Sequence, residues 1–243
     1  MKKTHLLALL FAVMMFAASC GDDEPVVRPR PEAVDLGLSV KWANYNIGAS
    51  EAIAWGGLYG WADSSGLHKV QIDDYPIEVS WSTVGGREIT SVKWNSPYFG
   101  GKSPLSNITG TTFDIARYMW NSDWRLPTRA EWQELIDRCQ WTVATGIEGA
   151  RGTVIRVTGP NGASILLPMT GYDTTGTPER SNVGHYWTAT LLPIEEQAEH
   201  GYSSAVACAA WSVNISVQGG APKCTMEPQV RHFHLGVRPV YAR

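Results

Sequence analysis

The side chains best suited to binding a ligand concentrate in the C-terminal part of the chain. Between Trp211 and Gln218 apolar and polar residues alternate, which predicts a strand with one polar outward face. Aromatic rings offer contact area, and amides and hydroxyls orient a bound group, so the region predicts a surface that recognises carbohydrate or protein. The alternative is a solvated sheet face. The predicted ligand-binding residues are Tyr186, Trp187, Tyr202, Ser212, Asn214, Ser216, Gln218, His232 and His234.

Two of these residues have the spacing of metal ligands. His232 and His234 are two positions apart and are predicted to share one face of a strand over 230–235, which permits joint ligation of a metal ion. The sequence places no third ligand beside them, so we predict no metal site and expect exposed or half-buried imidazoles. The sequence indicates metal binding by His185 and His200 even more weakly.

The cysteines leave two interpretations open. Cys139, Cys208 and Cys224 follow Cys20 in the chain without any CxxC spacing, which argues against a zinc or thioredoxin-like site. Cys208 and Cys224 are either two free thiols or a disulfide, which would stabilise the fold by about 3 kcal/mol. Cys139 has helical spacing from apolar neighbours and is expected to be a buried free thiol.

Other catalytic patterns are missing from the sequence. There is no Ser-His-Asp order, Walker loop or H-E-x-x-H helix. The adjacent acids Asp73/Asp74 and Glu195/Glu196 are expected in solvated loops rather than in an acid–base pair. We therefore predict a non-catalytic chain without a cofactor.

Composition limits the class of protein. The chain has 243 residues, 44% of them hydrophobic and 18% charged, with 11 tryptophans and a formal charge of −3. So many large apolar rings predict a folded core and argue against disorder or a coiled coil. No run of Lys or Arg follows the leader, so a nucleic-acid partner is not expected.

The N-terminal segment has the pattern of a lipoprotein signal. Lys2 and Lys3 precede an apolar run over 6–18, which is shorter than the roughly 20 residues that span a bilayer. We predict a signal peptide over 1–19 and lipidation of Cys20. An ordinary secretory leader or a buried core helix is the alternative.

The segment 20–33 is predicted to be a tether. Acidic residues 22–24 directly follow Cys20 and Gly21, which resembles the signal that sends some lipoproteins to the outer face of the outer membrane. Three prolines then favour an extended spacer. The expected location is the outer membrane, lipid-anchored and facing the cell exterior.

A folded domain is predicted from residue 34 to 243. Residues 34–42 alternate apolar and polar and predict one strand, and short strands are expected over 77–83 and 87–94. Thr112 is expected to cap a first helix with Ile115, Tyr118 and Met119 on its apolar face. Thr128 and Glu131 form a capping box for a second helix, whose core-facing residues are predicted to be Trp132, Leu135, Ile136 and Cys139.

The rest of the chain predicts strands. Segments 154–157 and 164–167 flank a turn signal at 159–162 and predict a hairpin. Further strands are expected over 186–190, 211–218, 230–235 and 237–241. The fold class is therefore α+β, with two helices grouped in the middle of the chain.

Several sequence blocks together resemble a known family. The blocks are Asp35–Ala43, Gly110-Thr111 with Asp114-x-Ala116, Trp124–Thr128 with Glu131-Trp132, Gly184-x-Tyr186-Trp187-Thr188 and Gly236–Val240. They resemble the Fibrobacter succinogenes major paralogous domain family and the C-terminal domain of Legionella collagen-like proteins. The resemblance covers residues 34–243.

The resemblance implies a C-type-lectin-like fold. In it two helices pack on a mostly antiparallel sheet with long loops, and the N- and C-terminal strands pair. Calcium-dependent sugar binding needs E-P-N or Q-P-D together with W-N-D. This chain has Glu227-Pro228-Gln229 and Trp211-Ser212-Val213-Asn214, so that activity is not expected.

The family also relates to formylglycine-generating enzymes. Such an enzyme would use Cys208 and Cys224 as a reactive pair with copper, but nothing else in its pattern is present here. We therefore predict a surface lipoprotein that binds an extracellular glycan or protein. A structural component of a surface complex or fimbria-like structure is the alternative, and an enzyme of the formylglycine-generating type is the least favoured.

Overall fold

The computed structural model describes residues 30–63, 77–84, 87–94, 105–174, 177–180, 182–202 and 209–242. The predicted leader, Cys20 and most of the tether lie outside these ranges. The strands are β1 (Ala33–Val34), β2 (Trp42–Ala43), β3 (Ile77–Val84), β4 (Arg87–Trp94), β5 (Trp124–Arg125), β6 (Gln140–Ala144), β7 (Val154–Thr158), β8 (Ser164–Pro168), β9 (Tyr172–Asp173), β10 (Gly184–Leu191), β11 (Ala209–Gln218), β12 (Ala221–Val230), β13 (His234–Leu235) and β14 (Val240–Tyr241). The helices are α1 (Ile115–Met119), α2 (Arg129–Arg138), α3 (Ile194–Gln197) and a 3₁₀ turn at Ala198–His200.

The chain is α+β, and its sheets are mostly antiparallel. Two three-stranded sheets have the orders β10-β11-β12 and β6-β7-β8, and β3 pairs with β4. The predicted strands over 77–83 and 87–94 are confirmed and form a hairpin. The predicted hairpin of segments 154–157 and 164–167 is also confirmed, and Gly162 in it has the positive φ of 86° that such a turn requires. No helix within the described ranges is long and apolar enough to cross a membrane.

Strands from opposite ends of the chain form one sheet, in the order β1-β2-β14-β5. Val240 pairs with Trp42 on one side and with Arg125 on the other. The predicted pairing of N- and C-terminal strands is confirmed. This sheet brings residues 30–50 next to residues 119–125.

The predicted single strand over 34–42 is wrong. Val34 pairs with Trp42, so the segment between them folds back on itself and only β1 and β2 are strands. The Asp35 carboxylate accepts the Gly37 N–H at 2.9 Å, and Gly37 has a φ of 75° that reverses the chain. Leu36 is nevertheless fully buried, which explains why burial alternates like that of a strand.

The predicted capping box of α2 is confirmed. The Thr128 hydroxyl accepts the Glu131 N–H, and the Glu131 carboxylate accepts the Thr128 N–H. Trp132 and Leu135 are fully buried against the core, and half-buried Ile136 and Cys139 pack beside them. Sequence-local hydrogen bonds are enough to set this helix.

The predicted cap of α1 is wrong by two residues. Asp114, not Thr112, is the N-cap, and its carboxylate accepts N–H groups from Ala116 and Arg117. The same carboxylate also accepts the N–H groups of Gly110 and Leu126, so it joins the helix to the loop before it and to the end of β5. Burial raises the pKa of this carboxyl despite the four bonds.

The apolar face predicted for α1 is also wrong in part. Ile115 is buried, but Tyr118 is 62% exposed and Met119 is 43% exposed. A helix of five residues covers little more than one turn, so only its first residues reach the core. Its last residues stand at the surface.

A buried arginine fastens β14 to the rest of the fold. Arg238 is fully buried and donates to the Asn46 side chain at 2.8 Å and to the Ala43 carbonyl at 2.9 Å. It also donates to the Leu166 carbonyl at 2.6 Å. Burial lowers its pKa to about 10. Three neutral oxygens from two distant segments, one at Ala43 and Asn46 and one at Leu166, therefore hold this guanidinium.

Candidate functional site

A cleft of about 1250 Å³ opens where the terminal-strand sheet meets the end of α1. We call it the aromatic cleft, because four rings line it together with a polar rim. The rings are those of Tyr45, Trp120, Trp124 and Tyr241. The polar residues of the rim are Arg30, Lys41, Ser50, Asn121 and Asp123.

The four rings form a continuous edge-to-face series. The centroids of Tyr45 and Trp120 are 5.4 Å apart, those of Trp120 and Trp124 are 5.2 Å apart, and those of Trp124 and Tyr241 are 5.3 Å apart. The interplanar angles run from 70° to 81°. Such contacts hold each ring in a fixed orientation.

Two rings support the series and two reach the surface. Tyr45 is 3% exposed and Trp124 is 4% exposed, whereas Trp120 and Tyr241 are half-buried. Burial, and secondarily the charge of Glu32, raises the pKa of Tyr45, so the phenol stays protonated at neutral pH. Trp120 and Tyr241 therefore present ring surface to a ligand while the other two keep them in place.

Local hydrogen bonds position the rings. Trp120 is the C-cap of α1, and its N–H donates to the Ala116 carbonyl. The Asn121 side chain then accepts the Asp123 N–H at 2.8 Å, which turns the chain into β5. There Trp124 pairs with Tyr241 of β14. The site thus depends on one short helix, one Asx turn and one strand pair.

The rim carries polar groups of several kinds. Arg30, Lys41, Ser50 and Asn121 are exposed, and Asp123 is half-buried. A guanidinium, an ammonium, a hydroxyl, an amide and a carboxylate offer both donors and acceptors around the rings. The cleft is also larger than the roughly 300–1,000 Å³ of drug-sized sites, so it suits an extended ligand.

The rings predicted from sequence as a binding border belong to the core. Tyr186 is fully buried and donates its hydroxyl to the Pro168 carbonyl at 2.5 Å, and burial raises its pKa to about 12. Trp187 is 1% exposed and donates its indole N–H to the Tyr59 carbonyl at 2.7 Å. Tyr186 packs in one core cluster and Trp187 in another, so β10 is covered on both of its faces.

The polar residues predicted on β11 differ in exposure along the strand. Ser212 is fully buried and donates to the Glu227 carbonyl of β12 at 2.8 Å. Asn214 and Ser216 are half-buried, and only Gln218 is exposed. The predicted open polar face therefore exists only near the end of β11.

Tyr202 and the histidines do not join a common surface either. Tyr202 is half-buried and donates to the Pro228 carbonyl at 2.9 Å. His232 lies in a turn rather than on the predicted strand, and His234 begins β13. His232 is 8% exposed and His234 is 7% exposed. Burial, and secondarily the nearby charge of His234, lowers the pKa of His232 to about 4.

A metal site is not found in the part of the chain that the structure describes. Within it no group of three or more His, Cys, Asp or Glu side chains is placed to hold a metal ion. His185, given a weak indication by the sequence, instead lines a small cavity of about 290 Å³ with Tyr172, Gln229 and Phe233. Burial lowers the pKa of this histidine.

The predicted disulfide involves Cys208, which lies outside the described residues. Cys224 carries a half-buried thiol that is free among the described residues, and burial raises its pKa to about 12. Ala209 pairs with Val230, whereas Cys224 pairs with Ile215, so the residue next to Cys208 is six positions along β11 from the partner of Cys224. The pairing of Cys208 with Cys224 stays a prediction.

The aromatic cleft was not predicted from the sequence. Tyr45, Trp120 and Tyr241 were not among the predicted binding residues, and Arg30 and Lys41 were not either. The one local signal is the spacing of Trp120 and Trp124, four residues apart around an Asn-Ser-Asp turn. The other rings come from segments that meet only through the terminal-strand sheet.

No family model, curated protein or solved structure matches the chain. The resemblance drawn from the sequence blocks therefore stays a prediction. What the geometry supplies is a rigid aromatic surface inside a large polar-rimmed cleft.

Proposed function

We propose that this chain is a surface-anchored lipoprotein whose C-type-lectin-like domain binds an extracellular glycan in the aromatic cleft. The observation that carries the proposal is the series of four rings with two of them, Trp120 and Tyr241, open to the cleft. The lipoprotein signal predicted before Cys20 and the acidic residues after it support the location, and the pairing of β2 with β14 supports the fold.

The exposed rings of the cleft suit the C–H face of a sugar, and its polar rim suits the hydroxyl groups. The C–H groups on one face of a pyranose are weakly positive and pack against the negative face of an aromatic ring. The hydroxyl groups around the sugar's edge need donors and acceptors of fixed position, which Asn121, Ser50 and Asp123 offer. A rigid aromatic surface also costs little side-chain entropy on binding.

The size of the cleft indicates an oligosaccharide rather than a single sugar. Its volume of about 1250 Å³ exceeds what one ring fills. The two open rings lie at different places along the series, with Trp124 between them, so more than one sugar ring can pack there at once.

A glycan array tests the proposal. The full chain in mild detergent is expected to bind a subset of oligosaccharides. Trp120→Ala is expected to weaken the affinity for them at least about tenfold. Tyr118→Ala is the matched control, because Tyr118 is two residues away and 62% exposed but does not line the cleft.

Two results would contradict the proposal. One is the absence of any binding by a chain shown to be folded. The other is binding that Tyr118→Ala weakens as much as Trp120→Ala does. Stoichiometric proteins that copurify with the chain, without saccharide binding, would favour the structural or assembly role instead.

A further inference from the structure

The aromatic cleft has a local charge opposite to that of the chain. The whole chain carries a formal charge of −3, yet two cations, Arg30 and Lys41, line the cleft. Asp123 is the single carboxylate among the described residues that line it. Excess positive charge beside ring surface on an acidic protein favours an anionic ligand.

Lys41 is positioned next to one of the open rings. Its backbone carbonyl accepts the Tyr241 N–H at 2.9 Å, so the two side chains start from neighbouring strands at the same edge of the cleft. Lys41 is exposed and carries its ammonium on a long flexible stem. A sugar packed on Tyr241 therefore has a cation within reach of its edge.

Arg30 also lines the cleft and lies three residues before β1. It precedes β1, which pairs with β2, and it is exposed. A guanidinium can bind a carboxylate, sulfate or phosphate through two parallel hydrogen bonds. The cleft thus combines a directional anion binder, a mobile cation and a ring surface.

Besides Asp123, a second acid near the cleft opposes these cations. Glu32 lies close enough to Tyr45 for its charge to contribute to the raised pKa of that phenol. It is exposed and outside the set of lining residues, so solvent screens it from a bound ligand more than Arg30 or Lys41. Its removal offers a variant that should strengthen rather than weaken anion binding.

Resting on the proposed function, we infer that the aromatic cleft selects acidic saccharides, meaning sugars that carry a carboxylate, sulfate or phosphate. Trp120 and Tyr241 pack against the sugar ring. Arg30 and Lys41 bind its anionic substituent. Affinity for any saccharide comes from the rings, and preference for an acidic one comes from the cations.

Matched pairs of oligosaccharides test this selectivity. Hexamers of galacturonic acid, glucuronic acid and sulfated galactose are titrated into the full chain in mild detergent, each beside the neutral hexamer of the same linkage. At low salt, about 0.05 M, an acidic hexamer is expected to bind about tenfold more tightly than its neutral partner. At about 0.5 M salt the preference is expected to fall below about threefold.

Charge variants identify the cations responsible. Lys41→Gln and Arg30→Gln are each expected to weaken acidic binding about three- to tenfold and to weaken neutral binding less, so that the preference for the acidic hexamer falls. Glu32→Gln is expected to strengthen acidic binding by up to about threefold. Lys223→Gln is the matched control, because Lys223 is exposed on β12 and does not line the cleft.

The outcomes separate the two proposals. Equal binding of acidic and neutral hexamers, lost in Trp120→Ala, overturns the selectivity and leaves glycan binding standing. No binding to any hexamer overturns both. If Lys223→Gln weakens acidic binding as much as Lys41→Gln does, or if acidic binding survives Trp120→Ala, the binding is nonspecific charge attraction. Either result overturns the selectivity. Trp120-dependent binding to phosphatidylglycerol vesicles without acidic-hexamer binding points to a lipid surface and overturns both.

Discussion

The aromatic cleft and the sheet β10-β11-β12 contain similar residue types in opposite arrangements. Both combine tryptophan, tyrosine, amides and hydroxyls. In the cleft Trp120 and Tyr241 keep part of their ring surface at an opening. In the sheet Tyr186 and Trp187 are buried and their polar atoms bond to carbonyls of the chain. Residue type indicates possible chemistry, and packing decides whether that chemistry is available.

The difference arises from what covers each region. β10 lies beside α2 and beside the turn that leads to β13, so its side chains point into two core clusters. The end of α1 has no such cover, because the helix stops after five residues. A short element leaves rings at the surface, whereas a long central strand buries them.

The largest expected effect is the loss of stability when Trp187 is substituted. Trp187→Ala removes a ring that is 1% exposed and leaves the Tyr59 carbonyl without its donor, so the free energy of unfolding is expected to fall by about 3–5 kcal/mol. Urea denaturation measures it. A loss below about 1 kcal/mol would mean that this ring is not packed and would restore it as a ligand-binding candidate.

The next largest expected effect is the pH dependence of stability caused by the buried side chain of His232. The pKa of His232 is about 4 in the folded chain against 6.5 for the free side chain. Between these values the unfolded chain binds the extra proton, so stability is complete above about pH 6.5 and is lost as pH falls toward 4, by up to about 3 kcal/mol.

Urea denaturation between pH 4.5 and 7.5, roughly spanning that window, checks this effect. His232→Gln is expected to flatten the pH dependence. His200→Gln is the control, because His200 is exposed and makes an edge-to-face contact with the Trp211 ring. An unchanged slope in His232→Gln would show that His232 is accessible, which would bring it back to a surface role.

Substitution of Trp120 is expected to impair ligand binding more than stability, which is the reverse of the effect expected for Trp187. Trp120→Ala should weaken glycan binding at least about tenfold, about 1.4 kcal/mol, and lower the free energy of unfolding by less than about 1 kcal/mol. Titration and urea denaturation on the same preparation measure both quantities. A large stability loss with no binding defect would mean that the cleft rings are core after all.

The smallest effects are expected at the outer end of β11. Ser216→Ala and Gln218→Ala should each change the free energy of unfolding by less than about 0.5 kcal/mol and saccharide affinity by less than about twofold. Urea denaturation and titration with the saccharide measure these two quantities. A binding loss comparable with that of Trp120→Ala would move the site to the β11 face predicted from sequence.

Features that depend on neighbouring residues could be predicted from the sequence. The capping box of Thr128 and Glu131 and the hairpin around Gly162 are set by hydrogen bonds and backbone angles within a few residues. The alternation over 34–42 was misread because Gly37 reverses the chain and the buried side of a loop can repeat like a strand.

Features that depend on distant segments could not be predicted. Ser212 is buried, and its hydroxyl bonds to β12, a strand that contains Pro222 and Pro228 and is not predicted from the sequence. The aromatic cleft needs Tyr45, Trp120 and Tyr241 to meet, and nothing in the spacing of these residues specifies that meeting. The fold class was accessible, and the candidate site was not.

The Arg238 network has a consequence for the order of folding. Arg238 donates to Asn46 and Ala43, which are 192 and 195 positions earlier in the chain. Val240 must also lie between β2 and β5 before that sheet exists. Contacts of such sequence separation close the largest loops and form slowly. The cleft is therefore assembled late, so during synthesis its four rings stay apart until the segment around Arg238 has been made.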